Sequence, residues 1–174
     1  MLVLGIDPGT ATTGYGLVKM GEDSFEVLDF GLIETDKNGD AAGRLREIEK
    51  KLLKILDFYT PDVMAIEKLF FATNAKTAIA VGQAQGVILL CAAKKNTLVC
   101  EYAPAMIKKI ISGDGRADKK KMQKHLRKLL GSKVKSRAHK KTHFDNEADA
   151  LAVAMCHILR VKTLREGGDK NARI

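Results

Sequence analysis

The order of predicted secondary-structure elements constrains the fold of this chain more than any other feature of its sequence. Three apolar or alternating segments come first, at residues 2–6, 15–20 and 25–34, with only short polar breaks between them. Such segments predict an antiparallel meander of three strands. Strand and helix patterns then alternate along the rest of the chain. This order predicts one mixed sheet with helices on its faces.

The elements after the meander are predicted from apolar spacing and from the breaks between periodic segments. They are a helix at 42–58, a strand at 63–66, a helix at 75–94, a strand at 97–102 and helices at 104–111, 119–130 and 146–160. The whole order is the one used by ribonuclease H-like folds, so the predicted class is α/β, with a mixed five-stranded sheet flanked by helices. We expect one ribonuclease H-like domain over residues 1–162 and a polar C-terminal tail over residues 163–174.

Positive charge is concentrated in one segment of the chain. Residues 108–141 hold fourteen Lys or Arg and two acids, whereas the whole chain has a formal net charge of +9. The remainder is therefore slightly acidic. A basic segment of this density favours a polyanionic partner such as nucleic acid. The simpler interpretation is a solvated basic face or tail.

Cysteine usage and hydropathy limit the cellular setting. Cys91, Cys100 and Cys156 are odd in number and lack CxxC spacing, which predicts reduced packing residues in a cytoplasmic protein. No uninterrupted apolar run approaches about 18 residues, and the chain begins directly with a strand pattern. We therefore expect no membrane span and no signal peptide.

Acidic residues stand at predicted strand ends and at the start of the last helix. Asp7 ends the first strand, Glu67 ends the fourth, and Asp149 lies one helical turn after Asp145 and Asn146. Gathered carboxylates repel one another unless cations lie between them, and hard oxygen ligands suit Mg²⁺. The set predicts phosphodiester hydrolysis with two metal ions about 4 Å apart.

Each of these acids also has a simpler interpretation. Asp7 can cap the turn after its strand, and Glu67 can be a surface residue at a strand end. Asp145 and Asp149 can serve only the positive end of the helix dipole. It is their joint placement that favours a metal site.

Four blocks of sequence resemble, in order and in register, the RuvC family of bacterial Holliday-junction resolvases. The blocks are LGIDPGTATTGYG, AIEKLFFATNAKTAIAVGQAQGV, EYAPAMIKKIISGDGRADKKKMQ and ADALAVAMCH, and the match of which they are part spans roughly residues 2–160. The resemblance implies a homodimer that binds a four-way DNA junction and makes paired symmetric nicks near the crossover, in homologous recombination and DNA repair. It also implies two Mg²⁺ ions per active site, with Mn²⁺ as a substitute, and the branch-migration proteins RuvA and RuvB as partners.

The resemblance assigns the catalytic and metal-binding positions residue by residue. Asp7, Glu67 and Asp149 match three family carboxylates, and the fourth position, usually Asp and sometimes His in the family, is Asn146 here. An amide offers a metal one carbonyl oxygen but no charge. Three accounts stay open: Asp145 takes the place of the missing acid, Asn146 suffices as a neutral ligand, or Asn146 is an introduced replacement that leaves a catalytically impaired junction-binding protein.

The resemblance also assigns contacts to DNA. Phe70 matches an aromatic that the family places against bases at the crossover, where a ring can stack on unpaired bases. Lys108 and Lys119 match lysines near the scissile phosphate. Neighbouring basic residues are expected to make nonspecific contacts with the DNA backbone; these are Lys109, Arg116, Lys120, Lys121 and Lys124.

Three other functions share part of this pattern. DPGTATTG also resembles the phosphate loop of actin-like ATPases and sugar kinases, but those proteins need two such domains and 174 residues supply one. A small nuclease of RNA processing shares the fold and the opening Asp-Gly pattern, but not the second and last blocks as a set. A junction-binding protein without catalysis would keep the basic segment and Phe70. Mg²⁺-dependent cleavage of a four-way junction distinguishes these functions.

Overall fold

The computed structural model of the chain describes residues 1–22, 24–36, 38–69, 75–131 and 141–166. Within those ranges the chain forms five strands and five helices. In order they are β1 (Leu2–Asp7), β2 (Thr12–Met20), β3 (Phe25–Glu34), α1 (Ala41–Tyr59), β4 (Val63–Glu67), α2 (Ala75–Lys94), β5 (Leu98–Tyr102), α3 (Pro104–Ser112), α4 (Lys119–Leu130) and α5 (Lys141–Glu166).

The strands form a single sheet in the order β3-β2-β1-β4-β5. The first three strands are an antiparallel meander, and β4 and β5 extend it as parallel strands. This arrangement confirms the predicted mixed five-stranded sheet. It also places β1 and β4 side by side at the centre, where neighbouring strands and helices bury both faces.

The two faces of the sheet pack against different helices. Leu4 and Ile6 of β1 belong to a buried cluster with α1 and α2, whereas Val3 belongs to a cluster with α3, α4 and α5. Successive side chains of a strand point to opposite faces, so each face of β1 is apolar. A strand buried on both sides is the reason for the continuous apolar run LVLGI.

Helix α5 lies unusually close to the sheet where it crosses β1 and β2. A Cβ atom at Gly5 would overlap the carbonyl oxygen of Ala150, and one at Gly14 would overlap the carbonyl oxygen of Asn146. Glycine at these two positions lets the helix backbone rest on the strands. The first turns of α5 are thereby held over the carboxyl end of β1.

The observed elements differ from the sequence predictions mainly at the ends of α5 and β2. Helix α5 spans Lys141–Glu166 rather than 146–160, so the predicted boundary between domain and tail lies inside the helix. Strand β2 begins at Thr12, not at residue 15, because its first residues pair with the end of β3. Residues 167–174, the rest of the predicted tail, lie outside the described residues.

Helix α2 has an apolar surface that the chain itself leaves exposed. The side chains of Ile79 and Leu90 are prominent on it. Among the described helices, one segment is long and apolar enough to cross a membrane by length and composition alone: Thr77–Lys94, with a mean hydropathy of 1.3. No such segment was expected from the sequence. One such helix is weak evidence, because a core helix of a soluble protein passes the same test.

The three cysteines lie in or beside the core. Cys91 and Cys156 are buried and Cys100 is half-buried, and all three are free thiols. Burial raises the pKa of the Cys156 thiol to about 12 and that of Cys91 to about 11. They are therefore unreactive packing residues at neutral pH, as the sequence predicted.

Candidate active site

Two predicted acids lie next to each other at the carboxyl end of the central strands. Ile6 of β1 is in register with Ile66 of β4, and Asp7 and Glu67 are the next residues of these parallel strands. Ile6 and Ile66 pack on the α1–α2 side. Because side chains alternate along a strand, Asp7 and Glu67 face the side covered by α5.

The start of α5 brings the other predicted positions to the same place. Gly14 pairs with Asp7 in the sheet, and the backbone carbonyl of Asn146 rests against Gly14. Asp149 follows Asn146 by three residues and therefore lies on the same side of the helix. Both Asn146 and Asp149 are half-buried.

The electrostatics of the site confirm that the three carboxylates are neighbours. Burial raises the pKa of Asp7 to about 7, with further upward contributions from the negative charges of Glu67 and Asp149. The pKa of Glu67 is also raised, first by burial and then by Asp149. The cluster therefore holds more negative charge than its surroundings stabilise.

Lysines from α3 and α4 bring positive charge to this cluster. Lys119 Nζ lies 3.1 Å from Asp149 Oδ2, and its charge opposes the rise in the pKa of Asp7. Lys108 of α3, together with Lys119, opposes the rise in the pKa of Glu67. The sequence assigned both lysines to the scissile phosphate; the direct ion pair of Lys119 with an acid of the site was not predicted.

The start of α4 fixes the position of Lys119. Asp118 is the N-cap of α4, and its side chain accepts a hydrogen bond of 2.7 Å from the backbone N–H of Lys121. Lys119 is thus the first residue of the helix. The side chain of Lys121 pairs with Asp114 at 2.8 Å, which ties the loop between α3 and α4 to the same turn.

The remaining predicted DNA contacts lie on the surface beside the cluster or outside the described residues. Five basic side chains of α3, α4 and their connecting loop are exposed: Lys109, Arg116, Lys120, Lys121 and Lys124. We call them the basic surface. Phe70 lies outside the described residues, and so does the side chain of Asp145, whose backbone is part of α5.

The side-chain oxygens of Asp7, Glu67, Asn146 and Asp149 suit a hard divalent cation, but these side chains do not surround a common metal position. Carboxylate and amide oxygens are the ligands that such cations prefer, and burial, together with repulsion between the acids, raises the pKa of Asp7 and Glu67. Within the described part of the chain, no group of three His, Cys, Asp or Glu side chains encloses a metal position. Asp149 is instead in contact with Lys119.

A second polar pair under the site was missed by sequence reasoning. His157 of α5 is buried, and its Nδ1 lies 2.7 Å from the hydroxyl oxygen of Tyr102, which is in register with Glu67. The guanidinium of Arg160 lies 5.8 Å from the centre of the Tyr102 ring. The sequence feature that could have indicated this pair is a histidine on the apolar face of the last helix.

Comparisons with known proteins give one consistent result. A family model described as crossover junction endodeoxyribonuclease RuvC matches residues 3–157. The protein of that name from Caldicellulosiruptor saccharolyticus is 48% identical over 160 residues, covering 91% of this chain and 93% of the relative. The one from Petrotoga mobilis is 43% identical, covering 90% and 93%.

The solved structures agree with the sequence matches. Thermus thermophilus RuvC in complex with a Holliday junction substrate superposes with a TM-score of 0.81 at 27% identity, covering 94% of this chain and 96% of that one. Another Thermus thermophilus RuvC structure gives a TM-score of 0.80 at 31% identity. The ribonuclease H-like fold predicted from the order of elements is confirmed.

Proposed function

The chain belongs to the RuvC family of crossover junction endodeoxyribonucleases, and on that premise we propose how its own residues cleave DNA. We assign it the hydrolysis of phosphodiester bonds at four-way junctions, by paired symmetric nicks near the crossover, in homologous recombination and DNA repair. The observation that carries this assignment is that Asp7 and Glu67 end two neighbouring strands, where the charge of Asp149 acts on both, beside the basic surface. The alternative of a junction-binding protein without catalysis has no support, since the relatives are named as nucleases.

The carboxylate cluster is the proposed metal centre. Nucleases of this family are metal-dependent, and we assign two Mg²⁺ ions, replaceable by Mn²⁺, to Asp7, Glu67 and Asp149, with Asn146 or Asp145 as the fourth ligand. Such ions, when bound, activate the attacking water and stabilise the leaving oxygen. The chain's own contribution is to fix the oxygens on two rigid strand ends and one helix start.

The lysines and the basic surface are the proposed DNA-binding elements. The charges of Lys108 and Lys119 act on the carboxylate cluster, and Lys119 contacts Asp149, so a compact positive charge is available there to hold the scissile phosphate. The exposed basic side chains beyond them contact neighbouring phosphates and fix the orientation of the duplex. Phe70 follows Glu67 by three residues and is proposed to stack on bases at the crossover.

The proposed assembly is a homodimer in the cytoplasm, with no membrane attachment. A symmetric junction presents two equivalent strands, and an isologous dimer places one active site at each. The exposed apolar residues of α2 suit such an interface better than they suit water. RuvA and RuvB are the proposed partners in branch migration.

Cleavage of a synthetic four-way junction in Mg²⁺ tests the function directly. We expect paired nicks in strands of like polarity, and no cleavage of linear duplex of the same sequence. Glu67→Gln should remove cleavage and keep junction binding, because the charge leaves the site while the basic surface remains. Equal cutting of junction and duplex, or undiminished cutting by Glu67→Gln, would contradict the assignment.

A further inference from the structure

Lys119 is in contact with both functional parts of the molecule. It begins α4, which carries much of the basic surface, and its ammonium lies 3.1 Å from Asp149 Oδ2. Its charge also acts on Asp7 and Glu67, since it opposes the rise in the pKa of each. This one ammonium therefore serves as a counter-ion to all three carboxylates.

An ammonium and a metal ion cannot both occupy the same face of Asp149. A divalent cation bound to a carboxylate oxygen lies about 2.0–2.6 Å from it, inside the position that Lys119 Nζ holds. The two cations would also repel each other at that separation. A metal ion bound to Asp149 Oδ2 must therefore displace Lys119 from that oxygen.

The ion pair is built so that it can be exchanged. The Lys119 side chain is 63% exposed and that of Asp149 is 33% exposed, so water screens their attraction. A lysine has a flexible four-carbon stem, and here it projects from the first residue of a capped helix. The ammonium can move several ångströms toward solvent without a change in the backbone.

We propose that Lys119 competes with the divalent cation for Asp149, and that a junction phosphate relieves the competition by taking Lys119 as its own partner. This inference rests on the proposed function, because it takes Asp149 to be a metal ligand. Free protein then binds metal weakly, and DNA and metal favour each other's binding. By linkage, the factor by which junction DNA tightens metal binding equals the factor by which metal tightens junction binding.

Metal affinity of the free protein is the first test. Mn²⁺ binding is measured by electron paramagnetic resonance of the unbound ion, for wild type, Lys119→Gln and the control Lys128→Gln. The control removes the same charge from the last turn of α4, outside the basic surface. We expect Lys119→Gln to bind Mn²⁺ about tenfold more tightly than wild type, and Lys128→Gln within about twofold of it. Thermal unfolding verifies that both variants are folded.

The coupling to DNA is the second test. The same titration is repeated with a junction whose crossover linkages are methylenephosphonates, which keep the negative charge but resist hydrolysis. The junction should tighten Mn²⁺ binding in wild type and in Lys128→Gln, and by a clearly smaller factor in Lys119→Gln. The proposal is overturned if Lys119→Gln binds Mn²⁺ no more tightly than Lys128→Gln, or if its coupling to the junction is as strong. If no protein binds Mn²⁺ even with the junction present, the metal assignment of the proposed function fails as well.

Discussion

Burial and repulsion act in the same direction on Asp7. This carboxylate ends the central strand of the sheet, and the loss of hydration raises its pKa to about 7, with Glu67 and Asp149 adding to the rise. A group in such a place is retained for what it binds, since it lowers the stability of the fold without a cation. The residue scale is therefore where function and stability oppose each other.

Asp7→Asn should separate these two effects. The amide keeps the shape of the side chain and removes a buried charge, so we expect Tm in EDTA to rise by about 2–4 °C, while junction cleavage is lost. Asp62→Asn is the control, because Asp62 accepts a 2.7 Å hydrogen bond from the Leu2 N–H at the opposite end of β1 and lies outside the cluster. Calorimetric unfolding in EDTA measures the shift. A fall in Tm for Asp7→Asn would mean that its charge is stabilised by the fold alone.

Asn146 is the position where sequence and family pattern differ, and the structure bears on the choice of ligand. Its backbone lies over Gly14, the sheet partner of Asp7, which places residue 146 beside the cluster. We expect Asn146→Asp to raise the single-turnover cleavage rate about tenfold, or about 1.4 kcal/mol of barrier, because a second metal gains charge compensation. Junction binding should be unchanged or slightly weaker, since the added charge repels phosphate.

Asp145→Asn is the matched control for that experiment. It changes an acid one residue earlier on α5 and should leave cleavage within about twofold of wild type. If Asp145→Asn removes cleavage and Asn146→Asp has no effect, Asp145 is the fourth ligand, and the family register is displaced by one residue at the start of α5.

At the scale of elements, the contact of α5 with β1 and β2 positions the site. The sequence predicted the strands from their apolar runs and α5 from its apolar spacing, because both signals are local. It did not predict where α5 crosses the sheet, since glycine in a strand indicates a close approach but not the partner. The Lys119–Asp149 ion pair could not be predicted for the same reason: it joins residues 30 apart, one at the first position of α4 and one in the third turn of α5.

Gly14→Ala tests whether this crossing positions the active site. The added Cβ would overlap the Asn146 carbonyl, so α5 must move away from β2 at its first turns. We expect a loss of about 2 kcal/mol or more in unfolding free energy and a cleavage rate reduced at least tenfold. Gly21→Ala is the control, because it lies in the turn after β2, at the opposite end of that strand from Gly14, and its added Cβ meets no atom closer than 3.3 Å. Denaturant unfolding and cleavage assays give both quantities; full activity of Gly14→Ala would show that the crossing is not required.

The packing of α5 on β5 gives a prediction for pH. Burial lowers the pKa of His157, and the positive charge of Arg160 lowers it further, while Tyr102 shares a hydrogen bond with its ring. A histidine whose pKa is lower in the folded protein takes up its proton more readily when unfolded, so stability should fall as pH drops below about 6.5. We expect the slope of Tm between pH 7 and pH 5 to be smaller in His157→Gln than in wild type. An unchanged slope would assign the acid sensitivity to other groups.

At the scale of the whole molecule, charge and apolar surface are separated. The basic surface lies on α3, α4 and their loop, whereas α2 carries three of the exposed large apolar residues of the described chain, Ile79, Leu89 and Leu90. Composition could predict that both surfaces exist, since each is concentrated in one segment of sequence. Spacing within α2 could not predict how much of it stays uncovered, because burial depends on which neighbours pack against it.

The uncovered face of α2 leads to the prediction for assembly. Leu90 is 51% exposed in the single chain, and a stable dimer interface buries about 1,200–2,000 Å² with an apolar centre. A glutamate in that centre would be buried without a partner. Leu90→Glu should therefore lower the mass measured by light scattering from that of a dimer, twice 19.0 kDa, to that of a monomer. Leu28→Glu, on the strand at the far edge of the sheet, should remain a dimer. Because paired cleavage needs two sites on one junction, the monomer should make isolated nicks in place of symmetric pairs. If the Leu90→Glu protein stays dimeric and cuts in pairs, the interface lies elsewhere.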